Sequence, residues 1–174
     1  MKASRWINLP VHCGENGQVR GLIKDIRIRD GRIDALVLSM GGLWSKALFI
    51  RPEDVVTLSA DVLKLSDESA LKRLSAKEMK AAMAGSDSLF KLTVVDYAGT
   101  LIGRVADARV GEDCKVQEFE ISRSFFDDMD RGYAVIPMDQ MTSQDGVIHY
   151  QHYFYEIPQS KRSGGVFNKV LGED

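Results

Sequence analysis

The stretch Gly21-Leu22-Ile23-Lys24-Asp25-Ile26-Arg27-Ile28 occurs twice in this chain, the second time as Gly103-Arg104-Val105-Ala106-Asp107-Ala108-Arg109-Val110. Glycine, aspartate and arginine hold the same offsets, and Ile23/Val105 and Ile28/Val110 keep β-branched residues at two more. Self-similarity at so long a spacing means that a whole supersecondary unit is repeated. Downstream, Ile33 to Ser39 lies over Val116 to Ser122 once one residue is inserted in the second copy, and apolar residues at 33, 36 and 38 meet apolar residues at 116, 119 and 121. Further on, Pro52, Asp54, Thr57 and Val62 match Pro137, Asp139, Thr142 and Val147 at one common offset. The insertions fall between apolar runs, where turns belong. One small β module is written twice.

Within a copy, the punctuation marks short strands. Trp6 to Val11 is an apolar run whose Pro10 lacks a backbone donor and so belongs at a sheet edge. Glu15-Asn16-Gly17 supplies turn chemistry. The next strand, Val19 to Arg29, ends in Ile26-Arg27-Ile28-Arg29, with one face apolar and the other cationic. Asp30-Gly31 turns the chain into Ile33 to Leu38. Met40-Gly41-Gly42 breaks that strand, Ala47 to Ile50 makes another, and Pro52-Glu53-Asp54 leads to Val55–Leu58 and Val62–Leu65. Strands this short and closely spaced predict a small, strongly curved sheet closed into a barrel.

Ser66 to Gly85 differs in kind, being rich in Ala, Leu, Lys, Glu and Met and free of aromatic and β-branched residues. It predicts a helical connector, as one helix or two: Asp67 can cap its start, Ser75-Ala76-Lys77-Glu78 is a capping-box pattern, and Gly85 stops it. Leu71, Leu74, Met79 and Met83 are its packing residues. The second copy then runs through Leu89 to Val95, a turn at Asp96-Tyr97-Ala98-Gly99, Leu101 to Val110, Val116 to Ile121, a helical turn between Arg123 and Gly132, Tyr133 to Ile136, the Pro137 corner and a long strand from Val147 to Ile157. The organisation expected is a barrel over 1–65, a helical linker over 66–88, a second barrel over 89–158 and a flexible tail over 159–174.

Composition bounds the function classes. With 44% hydrophobic and 28% charged residues the chain is globular. A net charge of −2 lacks the basic excess that draws a protein to nucleic acid or anionic lipid. Cys13 and Cys114 occupy positions the repeat does not equate, so they read as free thiols, and a cytoplasmic setting is expected. No apolar run approaches a transmembrane span.

The pattern G-x-[IV]-x-D-x-R-[IV], followed by a turn, an apolar strand and a strand ending in a Pro-x-Asp corner, resembles the PRC-barrel family, known from the cytoplasmic domain of the photosynthetic reaction centre H subunit and the C-terminal domain of a ribosome-maturation factor. The resemblance covers residues 6–65 and 89–155. It implies a mainly β fold of two small PRC-like barrels in tandem and a role in docking to proteins. The transmembrane helix of the H subunit is not matched here, nor is the maturation factor's unrelated N-terminal domain.

The shared residues read as structural. Gly21 and Gly103 belong where a strand bends or another backbone comes close. Asp25 and Asp107 lie in strands, where aspartate is disfavoured, and want backbone N–H groups or the neighbouring Arg27 and Arg109 as partners. Their alternative is a carboxylate pair across a cleft, unaccompanied by any cradle, oxyanion donors or metal ligands. Pro52 with Asp54 and Pro137 with Asp139 are corners. His149 and His152, three apart on a strand, point to opposite faces and do not converge on a metal. His12 and Cys13, as neighbours on a strand, point apart, so the imidazole does not activate the thiol. Gly41-Gly42 lacks the spacing and the Lys-Ser/Thr of a phosphate loop. No catalytic residue, cofactor, metal or small-molecule substrate is expected. Tyr150, Tyr153, Phe154 and Tyr155, with Trp6 and Trp44, are the aromatic stock, of which Trp44, Tyr153 and Tyr155 are the interaction candidates. The expected function is a non-enzymatic interaction or assembly module with a protein partner, docked to a ribosomal or membrane complex or to a second copy. The alternative is a ribosome- or RNA-associated assembly factor, suggested by the cationic face of Arg27 and Arg29 with Arg32 and Lys24.

Overall fold

The computed structural model describes residues 1–14, 17–39, 48–59, 61–124, 128–129, 132–157 and 162–163. The chain is mainly β and divides into two compact units, Met1–Ser88 and Leu89–Asp174, each holding one curled sheet that forms a half-barrel.

In the first unit the strands are β1 (Pro10–Cys13), β2 (Gln18–Arg29), β3 (Arg32–Ser39), β4 (Leu48–Ile50), β5 (Val55–Leu58), β6 (Leu63–Leu65), β7 (Lys72–Arg73) and β8 (Asp87–Ser88). The order across the sheet is β5-β6-β1-β2-β3-β4-β7, with β8 added to β2. In the second unit they are β9 (Thr93–Val95), β10 (Leu101–Val110), β11 (Val116–Ser122), β12 (Tyr133–Pro137), β13 (Met141–Gln144), β14 (Val147–Tyr150) and β15 (Arg162–Ser163), ordered β13-β14-β9-β10-β11-β12-β15. The two orders are the same walk through the fold. Each contains one parallel pair, β1 with β6 and β9 with β14, among antiparallel neighbours.

The correspondence reaches individual registers. Ile23 faces Leu38 and Asp25 faces Val37 across a shift at Lys24; Val105 faces Ile121 and Asp107 faces Glu120 across a shift at Ala106. A second shift lies between Arg27 and Ile28 and again between Arg109 and Val110. Bulges of this kind increase local twist and bend the strand, which is how a sheet of short strands curls. The first shift also swaps the side of the strand that faces the core: Gly21 and Ile23 are buried before it, Ile26 and Ile28 after it. Gly103 and Val105, then Ala108 and Val110, follow the same change in β10.

The repeated glycines lie just ahead of that shift and have a steric cause. A Cβ on Gly21 would stand 2.8 Å from the Ser39 carbonyl oxygen, and one on Gly103 would stand 2.0 Å from that of Ser122. Ser39 and Ser122 are themselves equivalent in the repeat, so the close approach is duplicated with the strands. The cores are assembled mainly from strand residues, with Ile23, Ile26, Leu36, Leu38, Phe49, Ile50, Leu63 and Leu65 buried in the first unit and Leu92, Val94, Phe119, Ile121, Ile136 and Ile148 in the second.

The corners are 3-10 turns, Pro52–Asp54 and Met138–Gln140. Pro52 is the first residue of its turn, whereas Pro137 precedes its turn, so the two prolines differ by one position although both make the corner. Asp54 ends the first turn and Asp139 is central to the second. Thr57 and Thr142 do keep equivalent places, facing Lys64 and His149. The first copy absorbs the offset in a bulge between Val55 and Thr57.

Two expectations change. The helix expected over Ser66 to Gly85 occupies only Ala76–Ala82, designated α1; the stretch before it holds a 3-10 turn Glu68–Ala70 and β7, and β8 follows it. Residues 66–88 therefore belong to the first unit. At the edge strand β4 the sheet captures in β7 chain that propensity alone assigns to helix, an instance of tertiary pairing overriding a weak prior, and the part of β2 beyond its pairing with β1 takes up β8. The capping signals hold: Ser75 accepts from the Glu78 N–H and Glu78 from the Ser75 N–H, Asp67 accepts from Ser69 N–H, and Gly85 ends the segment at φ +72°. The strand expected from Val147 to Ile157 ends at Tyr150 and gives way to a 3-10 turn Phe154–Glu156. Between Arg123 and Gly132, the expected helical turn is represented by Asp128 N–H to Ser124 O and Gly132 N–H to Asp128 O. Trp44, Gly41-Gly42, Glu15-Asn16 and all of the tail over 159–174 except Arg162–Ser163 lie outside the described residues.

Replacing Gly21 by alanine is expected to lower stability by roughly 1–3 kcal/mol, the usual cost of overpacking, and Gly103→Ala by more because its clash is closer. Urea unfolding of both variants checks this; Gly103→Ala unfolding at the wild-type midpoint would refute it. The Ser75 hydroxyl and amide hold the Glu78 carboxyl below its ordinary range. The capping contact is thus fully present above that range and is lost as pH falls through the lowered value. Following Glu78 by NMR as pH falls, Ser75→Ala should move its titration upward, and an unmoved midpoint would count against the box.

Candidate interaction surface

The described residues place the exposed aromatic side chains at one end of the second sheet. The turn after β9 is held by Asp96, a buried carboxylate that accepts from the N–H groups of Ala98 at 3.0 Å and Thr100 at 2.9 Å. Gly99 at φ +79° completes it. Tyr97, raised on this turn, donates its N–H to the His152 carbonyl at 3.0 Å, which continues the parallel pairing of β9 and β14 past the strand ends. That bond brings Tyr97 beside Tyr153, with ring centroids 5.7 Å apart and planes at 69°. Tyr153 in turn stacks on Tyr155 at 5.3 Å and 9°.

The 3-10 turn sets this stack. Glu156 accepts from the Tyr153 N–H at 3.3 Å and approaches His152 Nδ1 at 3.6 Å, while the Arg123 guanidinium lies 4.0 Å over the Phe154 ring. Tyr97 is 70% exposed and Tyr155 is 78% exposed, with Tyr153 between them at 38%. Three adjoining phenols thus present rigid amphipathic area to solvent. Tyr150, at the end of β14, is buried, as is Trp6, and its hydroxyl is pushed above the ordinary phenol range by burial and then by the Glu156 charge.

The repeat residues take structural places. Asp25 accepts from the Ser88 hydroxyl at 2.6 Å and lies 3.5 Å from Arg27. Arg27 also donates to the Ser86 carbonyl and reaches its hydroxyl at 3.5 Å. Arg29 bonds Asp34 at 3.1 Å and the Ala84 carbonyl at 2.9 Å, and Lys24 bonds Asn8 at 2.6 Å. The cationic face read from the sequence is thus largely engaged within the first unit, tying β8 and the end of the α1 segment to β2. In the second unit Asp107 is buried and accepts from the Ala108 N–H at 2.8 Å, while Arg109 pairs with Glu118 directly across the ladder at 2.8 Å. Of the two partners the sequence left open for these aspartates, the arginine is met in the first copy and a backbone N–H in the second, where the cross-strand glutamate that replaces Ala35 draws Arg109.

His149 and His152 are exposed and separated by the end of β14, with His152 turned to Glu156. His12 Nδ1 lies 2.7 Å from the Gly17 carbonyl and Cys13 is buried. Among the described residues no group of three His, Cys, Asp or Glu side chains converges as metal ligands, and no helix is long and apolar enough to cross a membrane. Tyr97 was not among the residues singled out from the sequence; its signal is an aromatic in a turn otherwise built of Asp, Ala and Gly, where a fold has no use for a large apolar ring. Comparison with protein-family models and with curated proteins finds no match for this chain.

Asp25→Ala removes the acceptor of Ser88 and the counter-charge of Arg27. It is expected to cost roughly 1–3 kcal/mol and to speed hydrogen exchange at the Ser88 amide, leaving amides of β10 and β11 unchanged. Uniform acceleration in both units would argue against a local role.

Proposed function

We propose that the protein is a non-enzymatic interaction or assembly module of the tandem PRC-barrel type, engaging a protein partner through the tyrosine surface of its second unit. The observation that carries this reading is the Tyr97, Tyr153 and Tyr155 cluster, exposed on a turn and a 3-10 segment that hydrogen bonds hold in place. Tyrosine is enriched at interface hot spots because a stiff, amphipathic ring contributes large contact area for little lost entropy. The duplicated strand order, with its shared bulges and glycines, supports the barrel family as the source of the architecture. Fold resemblance alone names no partner.

The RNA-associated alternative rests on the cationic β2 face. Arg27, Arg29 and Lys24 are engaged in internal bonds, which favours the protein-binding reading. A free phosphate contact would have to compete with those partners.

Affinity purification with the full chain, run beside a Tyr97→Ala/Tyr155→Ala variant, tests the proposal. Loss of two exposed ring contacts is expected to weaken capture by about tenfold or more without altering the unfolding midpoint. Proteins recovered equally by both forms, or sedimentation with ribosomal subunits that nuclease abolishes, would overturn it.

A further inference from the structure

None of the residues of helix α1 is buried. Seven residues of helix are far too few to persist in water without tertiary support. Its support comes from both ends. The capping box closes the start, and beyond the finish Arg29 holds the Ala84 carbonyl and Arg27 the Ser86 carbonyl. Between helix and strand lies an open depression of about 610 Å³, with Ala81, Met83 and Ala84 as its apolar lining and Arg27, Lys77 and Lys80 as its charged lining.

The charges are one-sided. Lys77 and Lys80 are exposed, while Arg27 is held by Asp25 at 3.5 Å and by the Ser86 carbonyl. We propose that this depression binds an acidic peptide segment of a partner protein, in which an apolar side chain sits on Met83 and the alanines while flanking carboxylates meet the exposed Lys77 and Lys80. Charge complementarity selects the occupant: two exposed lysines beside an aliphatic floor favour carboxylates attached to an apolar anchor. Methionine suits such a floor because its unbranched chain adapts to the anchor. Single-stranded nucleic acid fits worse, since its bases need aromatic platforms to stack on and this lining has none. This site lies in the first unit and does not depend on the tyrosine surface of the second.

Fluorescence polarisation with the full chain tests it directly. The probe is a labelled peptide bearing a leucine flanked by glutamates on a Gly/Ser background; its glutamine counterpart and a labelled oligouridylate serve as comparisons. The glutamate peptide should bind, the glutamine peptide and the RNA should not, and Lys77→Glu/Lys80→Glu should weaken binding by about tenfold or more, as reversal of two rim charges implies. Neither lysine is buried, so the variant should keep the wild-type unfolding midpoint. A Met83→Gln variant, which keeps the charges, should weaken the same peptide. Absent binding, equal binding of the glutamine peptide, preference for RNA, or indifference to the charge reversal would each overturn the proposal. Tyr97→Ala/Tyr155→Ala should leave peptide binding unchanged, which separates failure here from failure of the tyrosine surface.

Discussion

Both units rest on a backbone contact that leaves no room for a side chain. At Gly21 and at Gly103 the long central strand passes so close to the end of the next strand that a methyl group would press on the carbonyl of Ser39 or Ser122. Immediately afterwards the ladder slips by one residue, and the strand changes the face it turns to the core. A flat sheet of strands this short would expose one side of its apolar residues. The close approach and the bulge let it curl, so that residues before and after the slip face the same interior. Neither Gly21 nor Gly103 has a positive φ, so the reason for glycine here is space.

Around that shared frame the two copies have diverged in how they satisfy their polar groups. The first ties Asp25 and Arg27 to the added strand β8, at Ser88 and Ser86. The second buries Asp107 against the backbone and pairs Arg109 across the ladder with Glu118. The same motif thus serves different neighbours, and a repeated aspartate or arginine does not imply a repeated site. Surface chemistry diverges further: the first unit carries a cationic depression beside α1, and the second carries stacked tyrosines.

Strand positions, turns and the caps of α1 were legible because they rest on local spacing: alternation of Ile26, Arg27, Ile28 and Arg29, the Ser75–Glu78 box, the glycine at 85. The extent of α1 was not. Residues 68–73 and 87–88 lack strand-forming side chains, yet β7 and β8 form because β4 and β2 offer unpaired backbone groups, and buried backbone donors and acceptors seek partners. Tyr153 and Tyr155 were identified by residue type, but the strand expected for them would have set them two apart on a pleat. The 3-10 turn stacks them instead.

From the sequence alone came the duplication, the order of strands within each copy and the need for glycine at 21 and 103, all consequences of chemistry repeated along the backbone. Only the tertiary structure decided that Arg27 reaches Ser86, that Arg29 reaches Ala84 and that Tyr97 adjoins Tyr153. Those pairs are far apart along the chain. What joins them is the direction in which a bulged sheet curls and the edges it leaves open, which no local periodicity encodes.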